Sequence, residues 1–148
     1  MSSSDKIDRC LELDRQICFP MYVASKEIIR KYTPLLKELD LTYTQYIVML
    51  VLWEDERISM RKLGERLYLD SGTLSPVLLK MEKKGLIVRE RGKDDERVMD
   101  IAITPKGIGL KVIARKVPKE MGDCLKLSPL EAAQLLRVLK KILKKTTE

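Results

Sequence analysis

Residues 59–104 read SMRKLGERLYLDSGTLSPVLLKMEKKGLIVRERGKDDERVMDIAIT, and this stretch decides the fold. Its beginning predicts a short helix that Ser59 can cap, with apolar residues on one face at Met60, Leu63 and Leu67. A turn around Leu69 and Asp70 leads into a second helical pattern. That pattern ends at Gly85, a residue suited to a left-handed helix cap.

The second helix has a small, hydroxylated first turn. Its apolar residues are expected to point inward: Leu74, Val77, Leu78 and Met81. Ser71, Thr73 and Ser75 stand near its amino terminus, and Lys80 lies further along. Such short side chains can approach base edges or phosphates closely, as the start of a recognition helix must.

A charged hairpin pattern follows the two helices. The runs LIVRER (86–91) and VMDIAIT (98–104) are rich in β-branched residues, and GKDDER (92–97) between them is rich in turn and charged residues. Asp95 and Arg97 are two residues apart, so the carboxylate could hold the guanidinium in one orientation. A plain surface hairpin is the alternative. Two helices and a charged wing in this order favour a winged helix-turn-helix that reads DNA.

The charge balance agrees with DNA binding. The chain has 148 residues, enough for one domain, with 45% hydrophobic residues and a net charge of +7. Residues 57–93 hold 10 basic and 4 acidic side chains, whereas residues 1–56 hold 7 and 10. A basic face attracts the phosphate backbone. Residues 105–148 are also basic, with 11 against 4, so charge alone does not identify the DNA-reading part.

The residue content disfavours several other classes of protein. No run approaches the roughly 18 apolar residues of a membrane span, and the first residues lack the apolar core of a signal peptide. We therefore expect a cytoplasmic protein whose three cysteines are reduced at rest. The absence of His removes the usual base of a Ser or Cys triad and leaves too few ligands for a closed zinc site. We expect no enzyme activity, metal or cofactor.

The amino-terminal part predicts three helices. An amphipathic first helix is expected over residues 7–30, with a kink or irregular turn at Pro20 beside Cys18. Thr33 and Pro34 have the types expected for the cap and first position of a short helix. A capping box at residues 42–45 opens a strongly apolar helix to Trp53.

The carboxy-terminal part predicts two helices and a dimerisation surface. Thr104 and Pro105 open a helix to about Met121, and a capping box at residues 128–131 starts the last helix, which runs towards Lys145. This helix has a wide apolar arc at Leu130, Ala133, Leu136, Val138, Leu139 and Ile142.

We expect the first and last helices to form a dimerisation platform. Two DNA-reading heads would then meet the half-sites of an inverted repeat, about one helical turn apart. A monomer that buries these helices against its own core is the alternative. We therefore expect a single domain over residues 1–148. Within it, residues 40–104 form the DNA-reading part, and residues 1–39 and 105–148 form the helical dimerisation part.

Several motifs show a family resemblance over nearly the whole chain. LTYTQYIVMLVLW (41–53), GERLYLDSGTLSPVLLKMEKKGLIVRERGKDDER (64–97) and ITPKG (103–107) resemble the MarR family of repressors. CFPMY (18–22), KYTPLL (31–36) and LTYTQY (41–46) are similar to its organic-hydroperoxide-sensing OhrR-type branch, with SarZ- and MgrA-like relatives. The resemblance implies a mainly helical, winged helix-turn-helix repressor that binds a palindromic operator as a homodimer.

The resemblance also implies that Cys18 is a peroxide-sensing thiol. In that branch the reactive cysteine lies at the dimer interface and accepts hydrogen bonds from tyrosine hydroxyls of both subunits, which match Tyr22, Tyr32 and Tyr43 here. Phenol donors stabilise the thiolate that attacks a peroxide. Attack produces a sulfenic acid, which condenses with another thiol. From spacing alone, Cys18 could instead be a small apolar residue on the dimer face.

The other two cysteines bear on how the oxidation ends. Cys124, in a predicted loop MGDCLKLS (121–128), resembles in position the resolving cysteine of the partner subunit in two-cysteine members of the branch. A mixed disulfide with a small cellular thiol is the alternative. Cys10 and Cys18 are eight residues apart, a rise of about 12 Å that excludes a bridge within one intact helix. Cys10 is expected to be a passive helix residue.

Together these patterns predict a redox-controlled repressor. The reduced dimer binds its operator through Ser71, Thr73, Ser75 and Lys80 on the recognition helix and through the Asp95–Arg97 pair on the wing. Oxidation of Cys18 by an organic hydroperoxide then releases the DNA. A repressor of the same fold that is released by a small phenolic or other apolar ligand, with incidental thiols, remains the alternative.

Overall fold

The amino-terminal region is less regular than predicted. The computed structural model describes residues 9–147, so the predicted helix positions 7 and 8 lie outside the described residues. A 3-10 turn occupies Leu13–Arg15, and helix α1 begins only at Cys18 (Cys18–Leu36). The Gln16 side-chain amide donates to the carbonyl oxygens of Cys10 at 2.7 Å and Glu12 at 3.0 Å. A side chain bound to the backbone competes with helical hydrogen bonds, and the single helix predicted over 7–30 is wrong in this part.

One proline prediction is confirmed in part, and the other is wrong. The chain is irregular directly before Cys18, as predicted, but Pro20 is the third residue of α1, where its missing N–H would have no acceptor within the helix, so no kink is needed. Pro34 lies inside α1 rather than at the first position of a new helix. Its ring removes one backbone bond near the end of α1, which then passes into a 3-10 segment, Lys37–Leu39.

Helix α2 (Tyr43–Asp55) forms the centre of the core. Its predicted capping box is confirmed: the Gln45 N–H donates to Thr42 Oγ1 at 3.2 Å, and the Thr42 N–H donates to Gln45 Oε1 at 3.1 Å. Val48, Met49 and Leu52 are fully buried. They belong to one cluster with other large buried side chains: Leu36, Leu63, Leu74, Leu78, Met81, Ile87, Ile101 and Val117.

The winged helix-turn-helix is confirmed. Strand β1 (Arg57–Ser59) precedes α3 (Met60–Leu67) and α4 (Ser71–Lys83), and β2 (Ile87–Arg91) and β3 (Met99–Ile103) form the wing. The sheet is antiparallel with the order β1-β3-β2, in which Ile58 pairs with Ile101 and Arg89 also pairs with Ile101. Strand β1 has three residues, too few for a sequence pattern to predict.

The helix predicted from Pro105 to about Met121 is two helices. They are α5 (Pro105–Ala114) and α6 (Val117–Leu125). Pro118 explains the break, because its ring would clash with the carbonyl of Ala114 in a continuous helix. Cys124 consequently lies in the last turn of α6 and not in the predicted loop.

The last helix, α7 (Pro129–Thr146), begins at the predicted capping box. The Glu131 N–H donates to Ser128 Oγ at 3.2 Å, and the Ser128 N–H donates to Glu131 Oε2 at 2.8 Å. Helix α7 has no buried residue within one chain, so its apolar arc is exposed except at the half-buried Ile142. None of the helices within residues 9–147 combines the length and apolarity that crossing a bilayer requires.

Candidate nucleic-acid interface and thiol site

A close approach of two backbone segments shapes the turn between α3 and α4. The Leu69 N–H donates to the Gly64 carbonyl at 3.0 Å, and Tyr68 adopts a left-handed conformation with φ 55°. A Cβ on Gly64 would lie 2.6 Å from the Leu69 carbonyl oxygen. Glycine at position 64 therefore permits the tight turn that sets α4 against α3.

The amino terminus of α4 is capped by Asp70, which the sequence interpretation treated only as part of a turn. Asp70 Oδ1 accepts a hydrogen bond from the Thr73 N–H at 2.7 Å. Hydrogen bonds from Thr73 hold the pKa of the Asp70 carboxyl below its usual range. Ser71 and Thr73 are exposed beside it, and Ser75 is half-buried.

A groove of about 1900 Å³ lies between α3, the start of α4 and the wing. Among the residues predicted to contact DNA, Ser71, Asp95 and Arg97 line it. Thr73 and Lys80 are exposed on α4 outside the groove lining. The structure thus brings the start of the recognition helix and the wing tip to the two sides of one cleft.

The wing tip contains the predicted contact between Asp95 and Arg97. Arg97 Nε lies 3.1 Å from Asp95 Oδ1, and its Nη2 lies 3.3 Å from Oδ2. The Arg97 N–H also donates to Asp95 Oδ1 at 3.0 Å. These bonds lower the pKa of the Asp95 carboxyl. The guanidinium is oriented while its side chain stays 90% exposed.

The root of the wing has three ion pairs that the sequence interpretation missed. Glu82 at the end of α4 accepts hydrogen bonds from the Arg89 N–H at 3.1 Å and from its Nε at 3.0 Å. Arg57 on β1 pairs with Glu90 on β2 and, at 3.3 Å, with Asp100 on β3. Glu82 and Arg89 are seven residues apart in different elements, a spacing for which no helix or strand periodicity predicts a contact.

The Cys18 end of α1 is exposed. Cys18 is the first residue of α1, and Tyr22 is one turn later on the same helix face. One turn further along the same face, the Lys26 ammonium lies 4.5 Å from the centroid of the Tyr22 ring. Among the predicted tyrosines, Tyr22 is therefore the one that lies within one helical turn of Cys18 in the same chain.

The other two tyrosines form an aromatic cluster elsewhere. The ring centroids of Tyr32 and Tyr43 are 4.8 Å apart, and Tyr46, which the sequence interpretation missed, lies 5.7 Å from Tyr32. Burial raises the pKa of all three phenols, so they stay protonated and can donate at neutral pH. Tyr32 is fourteen residues after Cys18 on α1, a rise of about 21 Å. Tyr32 is therefore too far along α1 to bond Cys18 of its own chain.

The remaining cysteines are both exposed, Cys10 before α1 and Cys124 in α6. The predicted rise of about 12 Å between Cys10 and Cys18 does not apply, because the helix between them is interrupted. Residues 9–147 contain no cluster of His, Cys, Asp and Glu that could hold a metal ion.

Sequence comparison finds similarity to known regulators. The sequence model of the family described as transcriptional regulator SarA/Rot matches residues 30–112. The HTH-type transcriptional regulator SarZ of Staphylococcus saprophyticus is 47% identical over 133 residues, covering 90% of this chain and 91% of that protein. SarZ of Staphylococcus aureus (strain USA300) is 44% identical with 90% coverage of both chains.

Structural comparison finds similarity to AbfR, a protein of Staphylococcus epidermidis. Reduced AbfR bound to DNA has a TM-score of 0.77 and 32% identity, and the match covers 92% of this chain and 96% of that chain. Overoxidised AbfR bound to DNA gives 0.74 and 30%, with 98% and 99% coverage. Disulfide-formed AbfR gives 0.67 and 29%, with 99% and 100% coverage.

Proposed function

The chain belongs to the SarA/Rot family of MarR-like winged-helix transcriptional regulators, and from this membership we propose that it is a thiol-based redox switch on DNA. The reduced homodimer binds an inverted-repeat operator in the cytoplasm and represses transcription. Oxidation of Cys18 by an organic hydroperoxide releases the operator. The observation that carries the DNA-binding part is the groove whose two sides present Ser71 and Arg97.

The groove and the exposed face of α4 beside it support contact with DNA. The start of α4 offers small hydroxyl side chains, Ser71, Thr73 and Ser75, which can approach base edges or phosphates. Lys80 is exposed further along α4 and supplies charge for the backbone. Arg97, oriented by Asp95, reaches from the wing to the adjacent groove of the duplex. The DNA-bound form of AbfR supports this assignment, since its fold is similar.

Dimerisation is supported by the exposed apolar surface of the terminal helices. The side chains of Leu130, Leu136 and Val138 on α7 are 67%, 54% and 43% exposed. The amino-terminal segment adds the exposed Leu11 and Ile17. An apolar surface of this extent, on α7 and on the segment before α1, is typical of an interface with another chain. A second copy covers both in the proposed dimer, which pairs two DNA-reading heads.

The dimer also completes the thiol site in this proposal. Tyr22 lies one turn from Cys18 on the same chain, whereas Tyr32 and Tyr43 donate across the interface to the Cys18 of the partner subunit. The separation of Tyr32 from Cys18 along α1, and the contact of Tyr43 with Tyr32, support this assignment. Three phenol donors would stabilise the thiolate, which is the nucleophilic form of cysteine.

The chemistry of the switch is a two-step oxidation. The Cys18 thiolate attacks the O–O bond of the hydroperoxide, so that Cys18 gains the terminal hydroxyl as a sulfenic acid and the alkoxide leaves and takes up a proton as the alcohol. The Cys124 thiol of the partner subunit then displaces this hydroxyl, and a disulfide and one water molecule form. The exposure of Cys18 and Cys124 supports this pairing, as does the existence of a disulfide form of AbfR.

Release follows because a covalent bridge changes the spacing of the two heads. A dimer binds an inverted repeat tightly only when both heads engage together. A bridge from the start of α1 to the end of α6 shifts the terminal helices that set this spacing. Overoxidised AbfR is bound to DNA in its structure, so overoxidation leaves that protein able to bind DNA. This supports the disulfide, rather than further oxidation of one thiol, as the form that releases DNA.

The experiment uses a duplex of about 30 base pairs, enriched from a random library by the reduced protein. We expect treatment with cumene hydroperoxide to release this duplex from the unmodified protein but not from Cys18→Ser. Mass spectrometry of non-reduced peptides should identify the Cys18–Cys124 bridge, and Cys124→Ser should abolish it. A Cys18→Ser protein that still releases DNA on oxidation would contradict the redox proposal. Release by a small phenol together with peroxide insensitivity would favour the ligand-controlled alternative.

A further inference from the structure

The Glu82 side chain joins the recognition helix to the wing through the backbone as well as through charge. Its Oε1 accepts the Arg89 N–H at 3.1 Å, and its Oε2 lies 3.0 Å from Arg89 Nε and 2.9 Å from Nη2. Both side chains are about one third exposed, 33% and 31%. Because one bond goes to the main chain, Glu82 fixes the position of β2 itself and not only of a flexible side chain.

The bonded N–H lies on the outer edge of the sheet. Strand β2 is an edge strand with β3 on one side, so alternate N–H groups of β2 face away from its partner. The Arg89 N–H is such a group, and the Glu82 carboxylate satisfies it from α4. Within residues 9–147 this is the one ion pair that joins α4 to the sheet. Arg57, with Glu90 and Asp100, braces the sheet strands against one another instead.

A small change in the angle of β2 at the wing root produces a larger displacement at the wing tip. Arg89 is the middle residue of β2, and Arg97 follows eight residues later beyond the turn. A strand advances about 3.3 Å per residue, so the tip stands several residues away from the anchored N–H. Hydrogen bonds to DNA tolerate distances of only about 2.7–3.2 Å. A change in wing angle would therefore separate Arg97 from its DNA partner before it disturbed the core.

We propose that Glu82 and Arg89 are positioning residues that hold the wing at the angle at which Arg97 meets the same DNA segment as Ser71. This inference rests on the proposed DNA-binding function and is independent of the redox chemistry. Glu82 acts through Arg97 and does not itself need to touch DNA. Its contribution to DNA affinity consequently depends on the presence of the Arg97 guanidinium.

A double-mutant cycle tests this dependence. Glu82→Ala is made in the unmodified protein and in Arg97→Ala, and affinity for the enriched duplex is measured at about 50 mM salt, where weak binding stays measurable. We expect Glu82→Ala to weaken binding about tenfold alone and less than about twofold in the Arg97→Ala background. Equal losses in the two backgrounds would overturn the proposal, since a merely structural role does not require Arg97.

Two further variants make the cycle decisive. Glu82→Gln keeps an acceptor for the Arg89 N–H and serves if Glu82→Ala folds poorly; we expect it to lose about threefold, again only when Arg97 is present. Glu27→Ala is the matched control, because Glu27 also pairs with an arginine, Arg30 at 2.6 Å, but on α1. Failure of the reduced protein to enrich any duplex would overturn the proposed function as well. Tight binding with additive losses would overturn the positioning role alone.

Discussion

The Arg97 guanidinium rests on the carboxylate of Asp95 at the exposed tip of the wing, with Nε 3.1 Å from Oδ1 and Nη2 3.3 Å from Oδ2. The Arg97 N–H donates to the same oxygen at 3.0 Å, so the carboxylate orders the turn as well as the side chain. An ion pair this exposed adds little to folding stability. Its effect is expected in DNA binding, because an oriented guanidinium loses fewer conformations there.

Asp95→Ala should therefore reduce specificity more than general affinity. Removal of the carboxylate frees Arg97 but also removes a negative charge that repels phosphate. We expect affinity for the enriched duplex to fall about threefold while affinity for an unrelated duplex rises. Fluorescence anisotropy with both duplexes measures the ratio. Arg97→Ala, the control, should weaken binding to both. An unchanged ratio in Asp95→Ala would contradict the orienting role.

Gly64→Ala should destabilise the turn between α3 and α4. The new Cβ would lie 2.6 Å from the Leu69 carbonyl oxygen, which is backbone and cannot move without opening the turn. We expect a loss of about 1–3 kcal/mol in the free energy of unfolding. Gly109→Ala on α5 is the matched control, since its Cβ would meet no atom within 4 Å and should stabilise the helix. Urea unfolding at one fixed protein concentration compares the stabilities of the two variants. Equal changes in the free energy of unfolding would contradict the clash of the Gly64→Ala methyl group with Leu69 as the cause.

The Asp70 cap should make stability depend on acid. Hydrogen bonds from Thr73 hold the folded-state pKa of Asp70 below its usual value, so its contribution is present above about pH 4, the unfolded pKa. The contribution is lost as the pH falls through the lowered folded pKa. Asn is a comparable cap without the titration. Melting temperatures from pH 7 to 3 should therefore fall less steeply for Asp70→Asn than for the unmodified protein, and parallel curves would contradict this.

Arg57 should contribute to folding stability because its guanidinium pairs with two neighbouring carboxylates. Glu90 and Asp100 are directly opposite each other in the β2–β3 register, and Arg57 pairs with both. Like charges at paired positions are destabilising. We expect Arg57→Ala to lower the melting temperature at pH 7 and Glu90→Gln to restore part of the loss in the double variant. Absence of any restoration would show that Arg57 acts by another contact.

The parts of the fold that were predictable are those encoded by neighbouring residues. The capping boxes at Thr42 and Ser128 and the left-handed cap at Gly85 follow from local chemistry, and all three are present. The break between α5 and α6 is equally local, since Pro118 encodes it, but the apolar pattern continues past that proline and by itself predicts one helix.

The wing-root contacts and the start of α1 could not be predicted in the same way. The pair of Glu82 with Arg89 and the pair of Arg57 with Asp100 depend on how separate elements pack. The interruption before Cys18 depends on the Gln16 amide folding back onto two carbonyl groups, a competition that apolar periodicity does not report. Tyr46 was likewise hidden among the apolar residues of α2, although it joins Tyr32 in the aromatic cluster.

In the most direct measurement, the reduced protein bound to its enriched duplex is titrated with cumene hydroperoxide. The fluorescence anisotropy of the duplex and the masses of the peptides are measured in the same samples. We predict that DNA release follows the oxidation of Cys18 in proportion and is complete at about one equivalent of peroxide per chain. DNA that stays bound after Cys18 is fully converted to its disulfide, or DNA that leaves while Cys18 remains a thiol, would contradict the central claim.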